Sequence, residues 1–370
     1  MNRNKALFKI STPDNMEKLL KGVKSSLLNS FFIIFIMLLN SCSLTKEEKV
    51  DRLFKDYYSD VPGVAVMVIH NGQPILTKTY GMANLEEKIP VINETNFRLA
   101  SVTKQFTGMC IMMLIERDKL NYSTKLTDIF LEFPDYGKKI TIKNLLQHTS
   151  GLIDYESLIP DSATVQVLDK DVLDMMMEQD STYFQPGTDY RYSNGGYAVL
   201  AMIIEKISRK SFATFLRDNI FIPLEMNNTI AYEKGISEVS NRAYGYTIKS
   251  DSVLFTDQSI TSAVLGDGGI YSSISDLFKW DQALYSERLI SKESMRLALT
   301  PGLDIYGFGW RIDTYKGHFR THHTGGTKGF STIIQRFPED RFSIIILTNR
   351  NEQSVVPQAE KLTDLYLIEQ

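Results

Sequence analysis

Hydrophobic residues alternate with polar ones near both ends of this chain and recur at helical spacing in its middle. Near the start, the apolar runs Val64 to Ile69 and Ile75 to Tyr80 flank Asn71-Gly72, a pair typical of a two-residue hairpin turn. Roughly residues 120 to 300 have a mostly helical pattern. Strands are predicted again near the other end, over Gly307 to Ile312, Phe319 to His323, Thr332 to Phe337 and Phe342 to Leu347. The pattern predicts an α+β protein with strands at both ends and a mainly helical region between them.

One segment, Phe106 to Ile115, is apolar on nearly every side, as expected of a buried helix. Ser101 and Lys104 lie just before it. Residues three apart share a helix face, so a helix opening at Ser101 would bring the Lys104 amine within reach of Ser101 Oγ. Unpaired N–H groups at such a helix start favour the negative charge that develops in acyl transfer. We interpret Ser101 as a nucleophile with Lys104 as its base; the alternative is a plain N-cap beside a solvated lysine.

The Ser-x-x-Lys pattern is weak by itself, because Ser43 and Lys46 repeat it in a segment with no other catalytic feature. Two further motifs support the interpretation. Tyr192-Ser193-Asn194 follows a Pro-Gly loop and precedes an apolar helix, and His323-Thr324-Gly325-Gly326 ends a predicted strand. Glycines at a strand end allow a substrate backbone to approach closely.

With these three motifs in this order, the chain resembles the serine β-lactamase and penicillin-binding-protein superfamily, specifically the class C β-lactamase-like serine hydrolases. The resemblance extends from about Val50 to the C-terminus and includes three flanking runs, Leu145 to Leu152, Gly268 to Ser272 and Tyr306 to Trp310. It implies an antiparallel sheet shared by the N- and C-terminal strands, flanked by helices, with a mainly helical subdomain. The active site would lie in the cleft between sheet and helices.

The resemblance also implies roles. Ser101 would be acylated and Lys104 would act as its base or electrostatic partner, while Tyr192 would carry the proton to the leaving group and later activate water. Which of Lys104 and Tyr192 takes the first proton stays open. Asn194 would hold Lys104 and a substrate amide oxygen, and the N–H groups of Ser101 and Gly326 would form the oxyanion hole. The substrate-binding candidates are Asn194, His323, Thr324, Gly325 and Gly326.

His323 departs from the family pattern, because members specialised for penicillin have lysine there to hold a carboxylate. A histidine is mostly neutral at neutral pH. The variant favours an ester or amide hydrolase, unless Lys328 or Arg336 supplies the missing charge. The alternatives are a D,D-peptidase, a true β-lactamase, and a sensor that is acylated without turnover. Substrates would be small esters, amides, peptides or β-lactams.

The sequence contains no motif for a metal, nucleotide or α/β-hydrolase site, and no cofactor is expected. His322 and His323 are adjacent, so on a strand they face opposite sides. His148, before Thr149-Ser150-Gly151, is interpreted as bonding the backbone of a helix-ending turn. The net charge of −3, with no basic cluster, argues against nucleic-acid binding.

The first residues predict export. A basic region is followed by the apolar run Phe31 to Leu39 and then Ser41-Cys42. Nine apolar residues are too few to span a membrane. The order resembles a bacterial lipoprotein signal in which Cys42 is lipidated; the alternatives are a plain secretory signal or an uncleaved anchor.

The predicted organisation is a signal peptide over residues 1–41, a tether over 42–49 and one hydrolase domain over 50–370. The protein would sit in the bacterial cell envelope, held to the membrane by its lipid alone, with secretion as the alternative. Cys110 lies in the apolar helix, so no disulfide is expected.

Overall fold

The computed structural model describes residues 44–250 and 252–369. The chain divides into two units, one ending at Leu53 and one beginning at Phe54. Within the described part of the first unit, residues Lys46–Leu53 form helix α1. This helix begins inside the stretch predicted as a tether. The predicted signal peptide and Cys42 lie outside the described residues.

The second unit is built around a six-stranded antiparallel sheet. Its strands, in spatial order, are β10 (Arg311–Tyr315), β11 (His318–Thr327), β12 (Phe330–Phe337), β13 (Phe342–Thr348), β1 (Val64–His70) and β2 (Gln73–Tyr80). Val64 at the start of β1 pairs with Thr348 at the end of β13, so the strands from both ends of the domain share one sheet, as predicted. Asn71 and Gly72 both have positive φ, 52° and 76°, which is the turn that their sequence predicted.

Seven shorter strands form three small sheets. They are β3 (Met82–Asn84), β4 (Ile89–Pro90), β5 (Phe97–Arg98), β6 (Ile230–Ala231), β7 (Tyr246–Lys249), β8 (Ser252–Phe255) and β9 (Ile270–Ser272). The sheets are β3-β4, β5-β9-β6 and β7-β8. Four of these strands lie in the region predicted as mostly helical, where two to four residues are too few to show alternation.

Ten helices lie between or after the strands in the described part of the second unit. They are α2 (Lys104–Glu116), α3 (Leu126–Ile129), α4 (Ile142–Leu146), α5 (Asp169–Met177), α6 (Asn194–Ser208), α7 (Phe212–Leu216), α8 (Leu265–Gly268), α9 (Ile274–Ala283), α10 (Lys292–Ala298) and α11 (Val356–Thr363). Helix α2 is buried from Lys104 to Leu114, which confirms the interpretation of its apolar pattern.

Helices cover both faces of the sheet, and two neighbouring residues of β12 show how. Gln335 Nε2 donates to Thr363 Oγ1 of α11, whereas Arg336 Nε donates to Asp281 Oδ1 of α9. Successive strand residues point to opposite faces, so α9 and α11 lie on opposite sides. His323 is opposite Ile334 in register and therefore shares the α9 side with Arg336.

Two expectations about this region are wrong. The strand predicted over Gly307 to Ile312 begins only at Arg311, because Gly309 turns the chain with φ of 81°. Arg336 cannot supply a charge for a substrate, since it is 1% exposed and paired with Asp281.

Candidate active site

Ser101 lies on a constrained turn. Residues Ala100–Thr103 form a tight helical turn that leads directly into α2. Ala100 has a φ of 49°, and a left-handed conformation costs a residue with a side chain about 1–2 kcal/mol. Thr332 Oγ1 on β12 donates to the main-chain oxygen of Leu99 at 2.8 Å. The turn that presents Ser101 is therefore held against the sheet.

Lys104 opens α2 and is fully buried. Its Nζ donates to Ser101 Oγ at 3.1 Å, to Asn194 Oδ1 at 2.9 Å and to the main-chain oxygen of Asp267 at 2.8 Å. An ammonium has three protons, and here each has an acceptor. The contact that the three-residue spacing predicted is present.

The Asp267 oxygen is positioned by a buried carboxylate that the sequence did not single out. Asp169 accepts the N–H groups of Leu265 at 2.7 Å and of Gly266 at 2.9 Å, at the start of α8. Burial raises the pKa of Asp169 to about 8, although these two hydrogen bonds oppose the shift. Burial likewise raises the pKa of Asp267 to about 6, against the effect of Lys104 and Arg98.

Asn194 is the first residue of α6, which Ser193 caps by accepting the Gly196 N–H. Its amide oxygen accepts from Lys104, and its amide nitrogen donates to Glu156 Oε1 at 3.0 Å. Asn194 therefore holds Lys104 as expected. Its amide nitrogen, expected to bind a substrate amide oxygen, is instead bonded to a carboxylate.

Tyr192 lies beside Lys104, with Nζ 5.0 Å from the centre of its ring. Its buried hydroxyl has no hydrogen-bond partner within the described part of the chain. The structure thus brings Tyr192 to the lysine but does not link its hydroxyl to Ser101 or Lys104.

His148 holds the segment on both sides of Tyr192. Its main-chain oxygen accepts the Arg191 N–H at 3.0 Å, and its Nδ1 accepts the Ser193 N–H at 3.1 Å. Burial, together with Lys104, holds the pKa of His148 well below its usual range. The ring is therefore neutral with its proton on Nε2. The interpretation of His148 as a backbone-bonding residue is confirmed.

His323 is 1% exposed, and both its ring nitrogens contact protein oxygens. Nδ1 lies 2.7 Å from the main-chain oxygen of Thr324, and Nε2 lies 2.9 Å from the hydroxyl of Tyr306. The carbonyl can only accept, so Nδ1 carries the proton and Nε2 accepts from Tyr306. Burial and Lys104 hold the pKa of His323 well below its usual range. His323 thus shapes the site without offering a substrate a charge.

The two glycines of the third motif have different surroundings. A Cβ on Gly325 would lie 2.0 Å from the main-chain oxygen of Leu99, whereas one on Gly326 would meet nothing within 4 Å. Gly325 is needed for the approach of β11 to the chain's own serine turn. Of these two glycines, Gly326 is the one with open space beside it for a substrate. Thr324, before them, is partly exposed.

These residues surround a small cavity of about 60 Å³. It is lined by Arg98, Ala100, Ser101, Tyr155, Glu156, Asn194, Thr261, Asp267, Gly268, Gly326 and Thr327. Sequence reasoning missed Arg98, Tyr155, Glu156 and Asp267, because only the folded chain brings them to Ser101. A hydroxyl beside a buried amine, opening into a cavity with Gly326 on its rim, is suited to acyl transfer.

Neither a metal centre nor a membrane span is found in the part of the chain that the structure describes. No group of three or more His, Cys, Asp or Glu residues there is placed to hold an ion. None of its helices combines the length and apolar character needed to cross a bilayer.

Comparisons of the sequence, the structure and a family model with known proteins agree with one another. The chain is 37% identical over 317 residues to penicillin-binding protein 4* of Bacillus subtilis (strain 168), covering 80% of this chain and 69% of that protein. It is 25% identical over 314 residues to protein flp of Staphylococcus aureus (strain MRSA252), covering 82% of this chain but only 62% of that protein.

Among solved structures, D-amino acid amidase from Ochrobactrum anthropi SV3, in complex with L-phenylalanine amide, has a TM-score of 0.74 at 22% identity. The match covers 87% of this chain and 97% of that one, and it shows the shared fold. A family model described as Beta-lactamase matches residues 50–367. The expected superfamily, fold and class of enzyme are thereby confirmed, and the chain belongs to the β-lactamase family of serine hydrolases.

Proposed function

We propose that this protein hydrolyses an ester or amide through an acyl-enzyme on Ser101. For this step Lys104 must be in its neutral form, donating two protons to Asn194 Oδ1 and the Asp267 oxygen and offering its lone pair to the Ser101 hydroxyl. Lys104 in that form, or Tyr192 as its phenolate, takes the serine proton as Ser101 attacks the carbonyl carbon, and which of the two takes it first stays open. Tyr192 carries a proton to the leaving group and then activates water. The N–H groups of Ser101 and Gly326 stabilise the oxyanion, a contribution of about 10²–10³-fold for each donor. The observation that carries the proposal is the 3.1 Å contact between Lys104 Nζ and Ser101 Oγ at the buried start of α2.

The substrate class is inferred from the charged groups near Ser101 that could bind a carboxylate. His323 is neutral and both its nitrogens are already bonded, so it offers no cation for the carboxylate of a β-lactam or peptide. Of the two other candidates, Arg336 is paired with Asp281. Lys328 is exposed directly after the end of β11 and stays a candidate anchor. A neutral ester or amide needs no such anchor, and an amidase shares the fold. These observations support a general ester or amide hydrolase over a true β-lactamase or D,D-peptidase.

Covalent labelling with a fluorophosphonate probe tests this function. Wild-type protein should be labelled, and Ser101→Ala should abolish labelling while the melting temperature is kept. Ser43→Ala removes the serine of the other Ser-x-x-Lys pattern and is the matched control, which should label normally. Retained labelling of Ser101→Ala, or a label mapped to Ser43, would contradict the assignment.

Export with lipidation of Cys42 is part of the same proposal, supported by the basic and apolar runs before Ser41-Cys42. The protein would then act in the cell envelope. Metabolic labelling with a fatty-acid analogue should mark the wild type, but not Cys42→Ser, and should place the wild type in the membrane fraction. An unlabelled, soluble wild type would point to a cleaved secretory signal instead.

A further inference from the structure

We propose that Arg311 acts on the reaction through the Lys104–Tyr192 pair: its guanidinium favours the state in which these two residues have together released one proton to solvent. That state takes the proton of Ser101 and passes it to the leaving group. Arg311 is not among the residues that line the cavity containing Ser101, so it is a positioning residue and not a catalytic one. The inference rests on the acyl-enzyme function proposed above and adds a residue to it.

The guanidinium of Arg311 lies beside the tyrosine of the second motif. Arg311 is the first residue of β10, and its Cζ is 5.7 Å from the centre of the Tyr192 ring and 5.9 Å from that of Tyr306. Both distances are within the range of a cation–π contact. Arg311 is partly buried, and no carboxylate forms an ion pair with it in the part of the chain that the structure describes. Its positive charge is therefore not neutralised by a partner.

The histidine rings in contact with Tyr192 carry no charge that could replace that of Arg311. The rings of His148 and His323 lie 4.3 Å and 6.2 Å from that of Tyr192. Both are neutral, because burial, and after it Lys104, holds the pKa of each well below its usual range. Arg311 contributes to both of these shifts. Its field therefore extends across the rings that contact Tyr192, and the second cation close to Tyr192 is Lys104, with Nζ 5.0 Å from the ring centre.

The tyrosines around this site show the sign of the effect. Three of them are neutral phenols, because burial raises the pKa of each: Tyr190, Tyr197 and Tyr306. At Tyr190, where burial raises the pKa to about 12, Arg311 opposes the shift by stabilising the phenolate, and Asp304 acts against Arg311. The charge of Arg311 therefore favours the loss of a phenolic proton two residues from Tyr192.

The sign at the catalytic pair does not depend on which residue holds the remaining proton. The fully protonated Lys104–Tyr192 pair has one positive charge, and after losing one proton it has none, either as amine and phenol or as ammonium and phenolate. A neighbouring cation disfavours the charged form. An arginine keeps its own charge throughout the pH range of an assay. One charge at about 6 Å shifts such an equilibrium by about 0.5–2 pH units, for effective dielectric constants of about 80 to 20.

The pH profile of kcat tests the inference. Arg311→Gln removes the charge, so the acidic limb of the profile should move to higher pH by about 0.5–2 units. On the acidic side of that limb, kcat should fall about three- to hundredfold. Hydrolysis of p-nitrophenyl acetate from pH 5 to 9 gives the rates, and circular dichroism at each pH checks that the variants are folded.

Two further variants separate charge from packing. Arg311→Lys keeps the charge and should restore most of the wild-type profile. Arg341→Gln is the matched control, because its guanidinium also lies beside a tyrosine ring, 4.9 Å from the centre of Tyr285, which has no part in the reaction. This control should keep the wild-type profile.

An unshifted limb in Arg311→Gln, or an equal shift in Arg311→Lys, would overturn the inference and leave the proposed function standing. A higher KM of Arg311→Gln for nitrocefin alone, with an unchanged kcat profile, would also overturn it, by showing that Arg311 binds a substrate carboxylate. Absence of turnover in the wild type, or a wild-type rate in Tyr192→Phe, would overturn the proposed function itself. The two failures are therefore distinguishable.

Discussion

The ring of His148 accepts the main-chain N–H of Ser193 at 3.1 Å, one residue after Tyr192. The contact requires an unprotonated Nδ1, so His148 must stay neutral for the Tyr192 segment to keep its place. An activity that depends on Tyr192 is thereby linked to a buried histidine that touches no reacting atom.

Acid should destabilise the fold through His148. Its pKa is well below the usual range in the native state and about 6.5 when unfolded, so between these values the unfolded state binds the extra proton. Stability then falls as pH falls below about 6.5, by up to about 1.4 kcal/mol per pH unit. His148→Asn keeps an acceptor near the Nδ1 position and should remove the part of this slope that is due to His148, whereas His323, with a pKa also held well below its usual range by burial, contributes the same sign in both proteins. Urea unfolding from pH 8 to 5 measures the slope.

Asp169 has the opposite sign, because its raised native pKa of about 8 makes stability fall as pH rises from about 4. The test for His148 is therefore the difference in slope between variant and wild type. His148→Phe cannot accept from Ser193 and should cost about 1–3 kcal/mol at pH 8 for a buried N–H without partner. Equal stability of His148→Phe and wild type there would disprove the role.

Lys104 and Tyr192 should behave as one catalytic unit, because Nζ lies 5.0 Å from the ring centre of the tyrosine. We expect Lys104→Ala, Tyr192→Phe and the double variant to lose similar amounts of turnover, as coupled residues do. Single-turnover kinetics on a p-nitrophenyl ester measures the loss. Circular dichroism checks folding, and Lys104→Met serves as a second variant that fills the buried space. A double variant close to the product of the single losses would show independent action.

His323→Lys should shift specificity towards carboxylate-bearing substrates. A lysine there would stabilise the bound carboxylate of nitrocefin by up to about 1.5–3 kcal/mol relative to a neutral short-chain ester. The gain would be smaller where water reaches the contact. Tyr306 loses its acceptor in this variant, so His323→Lys combined with Tyr306→Phe is the cleaner form. His318→Lys adds the same charge on β11 beside Asp340 and is the control.

The wild type has a matching pH dependence. Because the pKa of His323 is well below its usual range, the preference of the enzyme for carboxylate-bearing over neutral substrates should not change between pH 8 and 6.5. This preference should rise only in stronger acid. Efficient nitrocefin hydrolysis by wild type at pH 8 would favour a true β-lactamase with its anchor elsewhere.

Gly325→Ala should be strongly destabilising, whereas Gly326→Ala should not. A Cβ at Gly325 would lie 2.0 Å from Leu99 O and 2.3 Å from Thr332 Oγ1, so strand β11 or the serine turn must move. Overpacking of this kind costs about 1–3 kcal/mol or more. Gly326 has no atom within 4 Å of an added Cβ and no positive φ. Chemical denaturation of both variants should separate them, and equal stabilities would contradict the steric account.

Local patterns predicted the contacts that depend on local geometry. The spacing of Ser101 and Lys104, the Asn71-Gly72 turn and the buried face of α2 each follow from a few neighbouring residues. The lining of the cavity could not be predicted from neighbouring residues, because Glu156 and Asp267 are brought to Ser101 only by tertiary packing. Arg336 was misjudged for the same reason, since its sheet face depends on register and its partner Asp281 lies 55 residues away.

The pairing of Val64 with Thr348 has a consequence for biosynthesis. Strand β1 leaves the ribosome early, but the strand beside it, β13, is among the last parts of the domain to be made. The main-chain oxygen of Leu99, beside the serine turn, likewise accepts its hydrogen bond from Thr332 only after β12 has been made. Pairings across such long separations form slowly. The sheet and the contact that holds the serine turn can therefore be completed only when translation is nearly finished, and until then β1 can pair with β2 alone.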